Sequence, residues 1–445
     1  MFFLPKDLHK WIIFTNFVVS NDKVNINPLE QVKGLCKTAL RSQESIKASF
    51  VSFFVDATIG VLTINGRINF LQLARYCKSC EQRFRQNFRK KFDWISFNQN
   101  FVQKQSGHRY AIAIDPSFIS KSGKHTPGIS YFWSGCAQSM KRGLEILGVA
   151  LVDVDTHDAT AIRAVQTIKG SRSQEDRPEC VKHIEKDSLV EHYLLAINTY
   201  REQLLELSDT IVADAFFSKG TFVQGLDILG FNLVSRFRDD VRLRYLYAGE
   251  RTGGKGRPKQ YDGIVNLDDM RDEVFQKQTL MWDNQEVIVR STVVNAVSLK
   301  KNVKVVIVDF EDSDKKAQTR KIFFSTNCEM SAQDVIDIYR SRFQIEFLFR
   351  DAKQFTGLNH CQARNEQAMD FAFNLSLAAI NVAKAFAKEQ NLNLSIADSK
   401  LLMHNAMMIQ RFLSAFGEIP NPHKNQGLKE HYFKELMLFG LKSAV

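Results

Sequence analysis

Three acidic residues stand where their side chains could act together on a phosphate ester. Asp115 follows the apolar run RYAIAI, Asp214 follows the short run TIVA, and Glu346 lies inside a mostly apolar helical segment. Short apolar runs of this kind are typical of buried strands. A carboxylate at the end of a buried strand is a common ligand position in an α/β sheet. We therefore predict that the two aspartates end two strands and that the glutamate reaches them from a helix.

A structural role for the first aspartate stays open, because Asp115 precedes Pro116 and an Asp before a proline is also a common turn former. The functional interpretation is a metal site. Mg²⁺ prefers oxygen ligands and keeps several waters, so two aspartates and one glutamate are enough to hold it. Two such ions about 4 Å apart activate an oxygen nucleophile and stabilise the leaving oxygen in phosphodiester cleavage.

The segment 331–355 has the pattern of one long helix. Ser331 is a suitable N-cap, the segment contains no proline or glycine, and Gly357 follows its end. Apolar residues occur on most of its faces, so we predict an uninterrupted helix that is buried nearly all round. A carboxylate inside such a helix needs a paired cation or a metal ion.

Four polar residues of this segment share one face. At 100° per residue, Tyr339, Arg342, Glu346 and Lys353 fall within a sector about 60° wide. The simplest interpretation is an ion pair, because Glu346 is four residues from both Arg342 and Arg350. The spacing Tyr-x2-Arg-x3-Glu-x6-Lys is the observation that favours a second interpretation.

This spacing resembles the signature of the insertion sequence 4 family of DD(E) transposases. The resemblance covers roughly residues 105–390 and implies that Asp115, Asp214 and Glu346 are the catalytic residues. They would bind two Mg²⁺ ions, for which Mn²⁺ would be a substitute. It also implies that Tyr339, Arg342 and Lys353 contact DNA near the cleaved end.

The implied activity is cut-and-paste transposition of a mobile element. The protein would bind the terminal inverted repeats of an insertion sequence, cleave the ends and join them to target DNA. Its partners would be double-stranded DNA and a second copy of the chain, because two ends must be paired. The implied fold is an α/β ribonuclease-H-like core, a mixed sheet with flanking helices, interrupted by a β-rich insertion and preceded by an N-terminal helical DNA-binding module.

The strand and helix patterns along the chain predict five segments. They are an N-terminal helical DNA-binding domain (1–105), the first part of the catalytic core (106–238), a β-rich insertion (239–325), the second part of the core with the signature helix (326–390) and a C-terminal helical region (391–445).

The positive charge of the chain is concentrated at the N-terminus. The formal net charge is +11, and residues 1–105 carry 16 Lys and Arg against seven Asp and Glu. Two short helical patterns in this segment resemble a helix-turn-helix, whose second helix, about 80–91, carries four residues that we predict to bind DNA: Arg83, Arg85, Arg89 and Lys90. A solvated basic helix with no ligand is the alternative.

Composition argues against a membrane protein, a disulfide-bonded scaffold and a zinc site. No run approaches 18 apolar residues, so we expect no membrane association. Seven scattered cysteines favour a reduced interior, and we expect a cytoplasmic, nucleoid-associated bacterial protein. The lone pair Cys77 and Cys80 lacks the second ligand pair of a zinc site.

Two rival functions remain. Tyr339 could be the nucleophile of a tyrosine recombinase, but that chemistry needs an Arg and His cluster that the sequence does not reveal. The chain could also be an inactive or domesticated DNA-binding protein that keeps the transposase fold. The presence of all three carboxylates favours the enzyme.

Overall fold

The computed structural model describes residues 27–43, 46–170, 177–250, 258–282, 285–311, 318–415 and 436–438. The first 26 residues of the predicted N-terminal domain and most of the predicted C-terminal region beyond 415 lie outside this part of the chain. The chain divides into two compact units, Val102–Phe349 and Met1–Phe101 with Arg350–Val445. Each unit is described by itself, and the five segments stay a prediction.

The unit Val102–Phe349 is built on one sheet. Its described strands are β1 (Tyr110–Ser120), β2 (Ser130–Ser134), β3 (Ser139–Asp153), β4 (Asp158–Gln166), β5 (Thr210–Val212), β6 (Asn232–Arg236), β7 (Leu243–Leu246), β8 (Tyr261–Ile264), β9 (Gln276–Trp282), β10 (Gln285–Ala296), β11 (Lys301–Glu311) and β12 (Gln318–Ser325). Their order is β2-β3-β1-β5-β6-β12-β11-β10-β7-β8, with β4 beside β3 and β9 beside β10.

The sheet is mixed, as predicted. β5 is parallel to β1 and to β6, whereas β3 and β12 run antiparallel to their neighbours. Helices flank the sheet, because the connection from β4 to β6 and the segment after β12 are largely helical. A large mixed sheet with flanking helices fits a ribonuclease-H-like fold.

The helices of the described residues are α1 (Pro28–Leu40), α2 (Ala48–Thr63), α3 (Phe70–Tyr76), α4 (Glu81–Asn87), α5 (Trp94–Gln99), α6 (Leu189–Thr199), α7 (Arg201–Leu207), α8 (Gly220–Leu229), α9 (Ala332–Ser341), α10 (Gln344–Asp351), α11 (Glu366–Glu389) and α12 (Ile396–Ala415). None of them is long and apolar enough to cross a membrane.

The prediction that the first strand ends at Asp115 is wrong. β1 continues through Asp115 and Pro116 to Ser120, and every residue of this stretch has a partner on β3. On its other side β1 pairs with β5 only at Ile112 and Ala113. Proline is tolerated where one side of a strand lacks a partner, because no ladder hydrogen bond is lost there. Asp115 therefore lies in mid-strand, just past the paired end of β5.

The segment 239–325 is β-rich, as predicted, but its strands extend the sheet of the preceding segment. The connection is the antiparallel pair of β12 and β6, in which Phe324 lies opposite Ser235. The polar stretch 157–186, in which no strand was predicted, contains β4. β4 pairs along most of its length with the buried half of β3. This pairing stabilises β4 as a strand, although the apolar pattern of its own sequence is weak.

The second unit is helical in its described residues, and its core is aromatic. Phe371 on α11 contacts six rings, those of Phe50, Phe53, Phe54, Phe88, Phe92 and Trp94. Most of these side chains are fully buried. Aromatic rings bury large areas and prefer tilted or edge-to-face contacts, so this cluster holds α2, α4 and α11 together.

Candidate active site

Strand register brings the first two predicted acidic residues to the same level of the sheet. In the parallel pair of β1 and β5, Ala113 lies opposite Val212. Asp115 is two residues beyond Ala113, and Asp214 is two residues beyond Val212. Adjacent strands lie about 4.8 Å apart. The two aspartates, 99 residues apart in sequence, therefore lie side by side at the end of β5.

Asp214 ends its strand as a cap. Its Oδ1 accepts a hydrogen bond from Phe216 N at 3.0 Å and begins the 3₁₀ turn Ala215–Phe217. Its backbone carbonyl accepts a hydrogen bond from Ser235 Oγ at 2.8 Å on β6. The Phe216 N–H thus orients the carboxylate, and Ser235 holds the backbone of Asp214.

One guanidinium group connects the first and third acidic residues. Arg342 Nη2 donates to Glu346 Oε1 at 2.6 Å, and Arg342 Nη1 lies 3.8 Å from Asp115 Oδ1. Burial raises the pKa of Asp214 above its ordinary value. Arg342, the Phe216 N–H and Arg236 oppose this shift, and the charge of Glu346 adds to it. Asp214 therefore lies in electrostatic range of both Arg342 and Glu346.

A glycine lets the helix that carries Glu346 approach the sheet. Gly148 on β3 is the register partner of Asp115. The ring of Phe349, three residues after Glu346, lies directly over Gly148, so that a Cβ atom there would overlap it. Sequence reasoning missed this contact, because the identity of the residue opposite Asp115 depends on the register of β1 and β3.

The prediction of one uninterrupted helix over 331–355 is wrong. Ser331 caps α9 as predicted, with its Oγ accepting from Asp334 N at 3.1 Å. The helix breaks at Arg342 and Phe343, and a π-helical turn, Ala352–Thr356, follows α10 before the left-handed Gly357.

Hydrogen bonds of the i to i+3 type span the break, from Arg342 N to Tyr339 O and from Glu346 N to Phe343 O. This tighter winding changes the angle between residues on either side of it. The predicted burial all round is also wrong, because the side chains of Phe343 and Phe347 are 48% and 37% exposed. Their rings contact each other at the surface.

Tyr339 lies against an aromatic stack. Its ring is 4.8 Å from that of Phe323, and Phe323 is stacked on Trp282 at 5.9 Å and 17°. Burial raises the pKa of Tyr339, although Arg342 and Arg236 lower it in part. Trp282 and Phe323 carried no signal in the sequence beyond their place in alternating strands.

Arg109 is a further residue that sequence reasoning missed. It directly precedes β1, and its Nη1 donates to Asp334 at 2.6 Å and to Asp337 at 3.1 Å, both on α9. Its Nε donates to Asp155 at 3.0 Å. Arg109 thus ties the strand of Asp115 to the helix of Tyr339.

A second group of possible metal ligands, His108, Asp153 and Asp155, lies at the opposite end of β1. Its atoms are already occupied. His108 Nδ1 is 2.8 Å from Asp153 Oδ2, and Asp153 Oδ1 accepts from two backbone N–H groups. Asp155 is bound by Arg109. The group around Arg342 offers three carboxylates and no imidazole, and all-oxygen ligands of this kind fit hard divalent ions such as Mg²⁺ better.

The remaining predicted DNA-binding residues belong to the other unit. Lys353 lies in the π-helical turn and is half-buried. Arg83 donates to Ser49 O at 2.8 Å, and Arg85 forms an ion pair with Glu81 on the same helix. Lys90 lies over the ring of Phe50.

The helix predicted at about 80–91 is shorter, Glu81–Asn87, so Arg89 and Lys90 follow its end. Arg85, Arg89 and Lys90 are exposed. Their contact with DNA stays a prediction.

Comparison with known protein families agrees with this geometry. Residues 50–290, more than half of the chain, match the DDE superfamily endonuclease family. Residues 291–395 match the family described as archaeal putative transposase ISC1217. No curated protein matches the chain. The first match includes Asp115 and Asp214, and the second includes Glu346. The chain belongs to the DDE superfamily endonucleases, and its residues 291–395 are similar to a putative transposase.

Proposed function

We propose that the protein is a cut-and-paste DNA transposase. It binds the terminal inverted repeats of an insertion sequence, cleaves its ends and joins them to target DNA. The observation that carries the proposal is the convergence on Arg342: two carboxylates contact its guanidinium and the third lies in its electrostatic range. The narrower relationship to the insertion sequence 4 family rests on the spacing of Tyr339, Arg342, Glu346 and Lys353 alone.

In this proposal Asp115, Asp214 and Glu346 hold two divalent ions, Mg²⁺ or Mn²⁺. Bound there, the ions lower the pKa of the attacking oxygen and stabilise the leaving oxygen. The donor set fits, because all three side chains offer carboxylate oxygens, the ligands that Mg²⁺ prefers. The raised pKa of Asp214 also supports a metal site. Burial and the charge of Glu346 disfavour the ionised form of Asp214, and a bound cation would favour that form.

The protein's own groups prepare this site. The Phe216 N–H and Ser235 orient Asp214. Arg342 holds Glu346 and is itself 89% buried, with a side-chain exposure of 11%. Its Nε has no hydrogen-bond acceptor among the described residues, which costs about 1–3 kcal/mol for a buried donor. A guanidinium that the fold satisfies only in part is suited to gripping a phosphate group of DNA.

DNA contacts are proposed in both units. Tyr339 and Arg342 adjoin the carboxylates, whereas Lys353 and the basic residues Arg83, Arg85, Arg89 and Lys90 belong to the helical unit. Phosphate contacts of this kind position the DNA and make binding depend on salt. Two copies of the chain would act together to pair two transposon ends.

The competing function is an inactive DNA-binding protein with the same fold. The substitution Asp214→Asn separates the two, because it removes a metal ligand and no phosphate contact. We expect the variant to lose cleavage of supercoiled plasmid carrying the element's ends in Mg²⁺ and to retain DNA binding in a mobility-shift assay.

Asp227→Asn is the matched control, because Asp227 is a partly exposed residue paired with Lys301 in the same unit. It should cleave like the wild type. Equal loss of binding and cleavage in Asp214→Asn would identify Asp214 as structural, and wild-type protein that binds ends without cleaving them would favour the inactive protein.

A further inference from the structure

A cavity in the helical unit contains positively charged groups without an acidic partner. Its volume is about 500 Å³. It is lined by the turn Asn65–Arg67 after α2, by Gln354 and Phe355 of the π-helical turn, by His360, and by the first turns of α12 with Lys400. All of these residues belong to the unit formed by Met1–Phe101 and Arg350–Val445.

Lys400 is the buried cation of this cavity. Its residue exposure is 7%. Its Nζ donates to Val61 O at 3.2 Å, near the end of α2, and to Phe355 O. Within the described part of the chain it forms no ion pair with a carboxylate. An ammonium group has three N–H donors, so two carbonyl oxygens leave one donor for a ligand.

His360 offers a second donor. Its Nδ1 lies 3.1 Å from the backbone N of Ile68 and accepts that hydrogen bond. In the neutral ring the proton is then on Nε2, which is free to donate. Burial lowers the pKa of His360, and the charges of Arg67 and Lys400 lower it further. Three cationic or donor groups thus lie in electrostatic range of one another.

The uncompensated positive charge of this cavity is unfavourable while the cavity is empty. Burial of an uncompensated ammonium group disfavours its charged form, and the pKa of Lys400 is lowered to about 8 with burial as its cause. An anion would remove this penalty. A guanidinium, an ammonium and an imidazole N–H that line one cavity match the several oxygens of a phosphate group.

We propose that this cavity is a phosphate-binding site, with Lys400 at its base, His360 at its wall and the exposed Arg67 at its entrance. The phosphate belongs either to a polynucleotide backbone or to free phosphate, since both present the same oxygens. The site goes beyond the proposed transposase function, and neither the carboxylates nor the signature spacing predicts it.

A purely structural role for Lys400 is the competing explanation. Lysine near a helix C-terminus interacts favourably with the last carbonyl groups, and Val61 O is such a group. In that case Arg67 would be an ordinary surface residue. The two explanations differ in the response to phosphate.

The test is calorimetric titration of the full-length protein with inorganic phosphate at pH 7, with chloride as the ionic-strength control. We expect saturable binding of one phosphate per chain at this site. Arg67→Gln should weaken it roughly tenfold or more, because a charge-assisted hydrogen bond is lost. Arg41→Gln, at another exposed position of the same unit, should bind like the wild type.

Lys400→Met tests the buried cation. We expect it to abolish phosphate binding, and thermal melts report whether it folds. If Lys400→Met does not fold, the comparison of phosphate binding by Arg67→Gln and Arg41→Gln decides whether the site exists. Absence of saturable binding to the wild type, or equal affinity in Arg67→Gln and the wild type, would overturn the proposal.

A second measurement identifies the source of the phosphate. If the ligand is a DNA backbone, Arg67→Gln should weaken binding of a duplex oligonucleotide, and free phosphate should compete with the duplex more strongly for the wild type than for the variant. If the ligand is free phosphate, the duplex affinity should be the same for both proteins. The titration with inorganic phosphate decides the site, so this outcome is independent of whether the protein is a transposase.

Discussion

Each of the two compact units contains a buried charge that its own residues compensate only in part, and the sign differs. In the sheet unit, burial raises the pKa of Asp214 although Arg342 and Arg236 lie in electrostatic range, so a desolvated negative charge is compensated only in part. In the helical unit, Lys400 is buried among carbonyl oxygens, so positive charge is in excess. Desolvation of a partly compensated charge can thus prepare a cation site in one unit and an anion site in the other.

The largest effect is expected from the three acidic residues Asp115, Asp214 and Glu346. Glu346→Gln keeps the shape of the side chain and removes its charge, so we expect cleavage in Mg²⁺ to fall by at least about 10³-fold. DNA binding should change little. The measurement is a single-turnover cleavage assay beside a mobility-shift assay. Cleavage within tenfold of the wild type would mean that Glu346 is only the partner of Arg342.

The next effect is a pH dependence of stability that comes from Lys400. The pKa of Lys400 is about 8 in the folded protein against an ordinary value of 10.5, so the unfolded chain binds more protons between these values. The contribution of Lys400 to the free energy of unfolding should therefore rise by about 3 kcal/mol as the pH increases from 8 to 10.5. His360 stays neutral across this window, because burial and neighbouring charges lower its pKa.

Urea unfolding in phosphate-free buffer measures this change, and the quantity of interest is the difference between wild type and Lys400→Met. The difference should depend on pH only in this window. Added phosphate should stabilise the wild type most below pH 8, where the lysine is charged. The same pH dependence in both proteins would show that Lys400 is not the group responsible.

A smaller effect on stability is expected from Arg342→Ala. Glu346 is 38% exposed in its side chain, so the ion pair contributes only about 1 kcal/mol. Activity should fall much further, because Arg342 is proposed to grip DNA. Removal of the guanidinium also takes away a positive charge beside the three carboxylates, so Mg²⁺ should raise the melting temperature more in the variant than in the wild type.

Thermal melts with and without Mg²⁺, beside cleavage assays, measure both changes. A large loss of melting temperature that Mg²⁺ does not restore, with a proportionate loss of activity, would identify a structural ion pair. Arg350→Ala is the control, because Arg350 pairs with Asp351 at the surface.

The smallest effect is expected from the exposed basic residues. Arg89→Ala and Lys90→Ala should each weaken DNA binding about equally for all sequences and reduce the slope of log K against log salt by about 1. Binding measured at several salt concentrations gives this slope. An unchanged slope would mean that the basic surface after α4 does not contact DNA.

Local patterns predicted much of the sheet unit. The apolar runs before Asp115 and Asp214 are strands, and Ser331 caps a helix. Such features depend on neighbours in sequence, so a sequence reveals them. β4 and the continuation of β1 past Pro116 were missed, because both depend on pairing with β3, whose register the local pattern does not specify.

Residue types and their spacing were enough to identify the side chains that can bind a metal ion or a phosphate group: three carboxylates after or within apolar segments, and a basic excess near the N-terminus. Which of the charges are desolvated depends on the tertiary structure. The fold breaks the long helix at Arg342, allows Phe349 to lie over Gly148, and buries Lys400 in α12. The physical reason is that desolvation depends on what packs against a side chain, and those neighbours come from segments hundreds of residues apart.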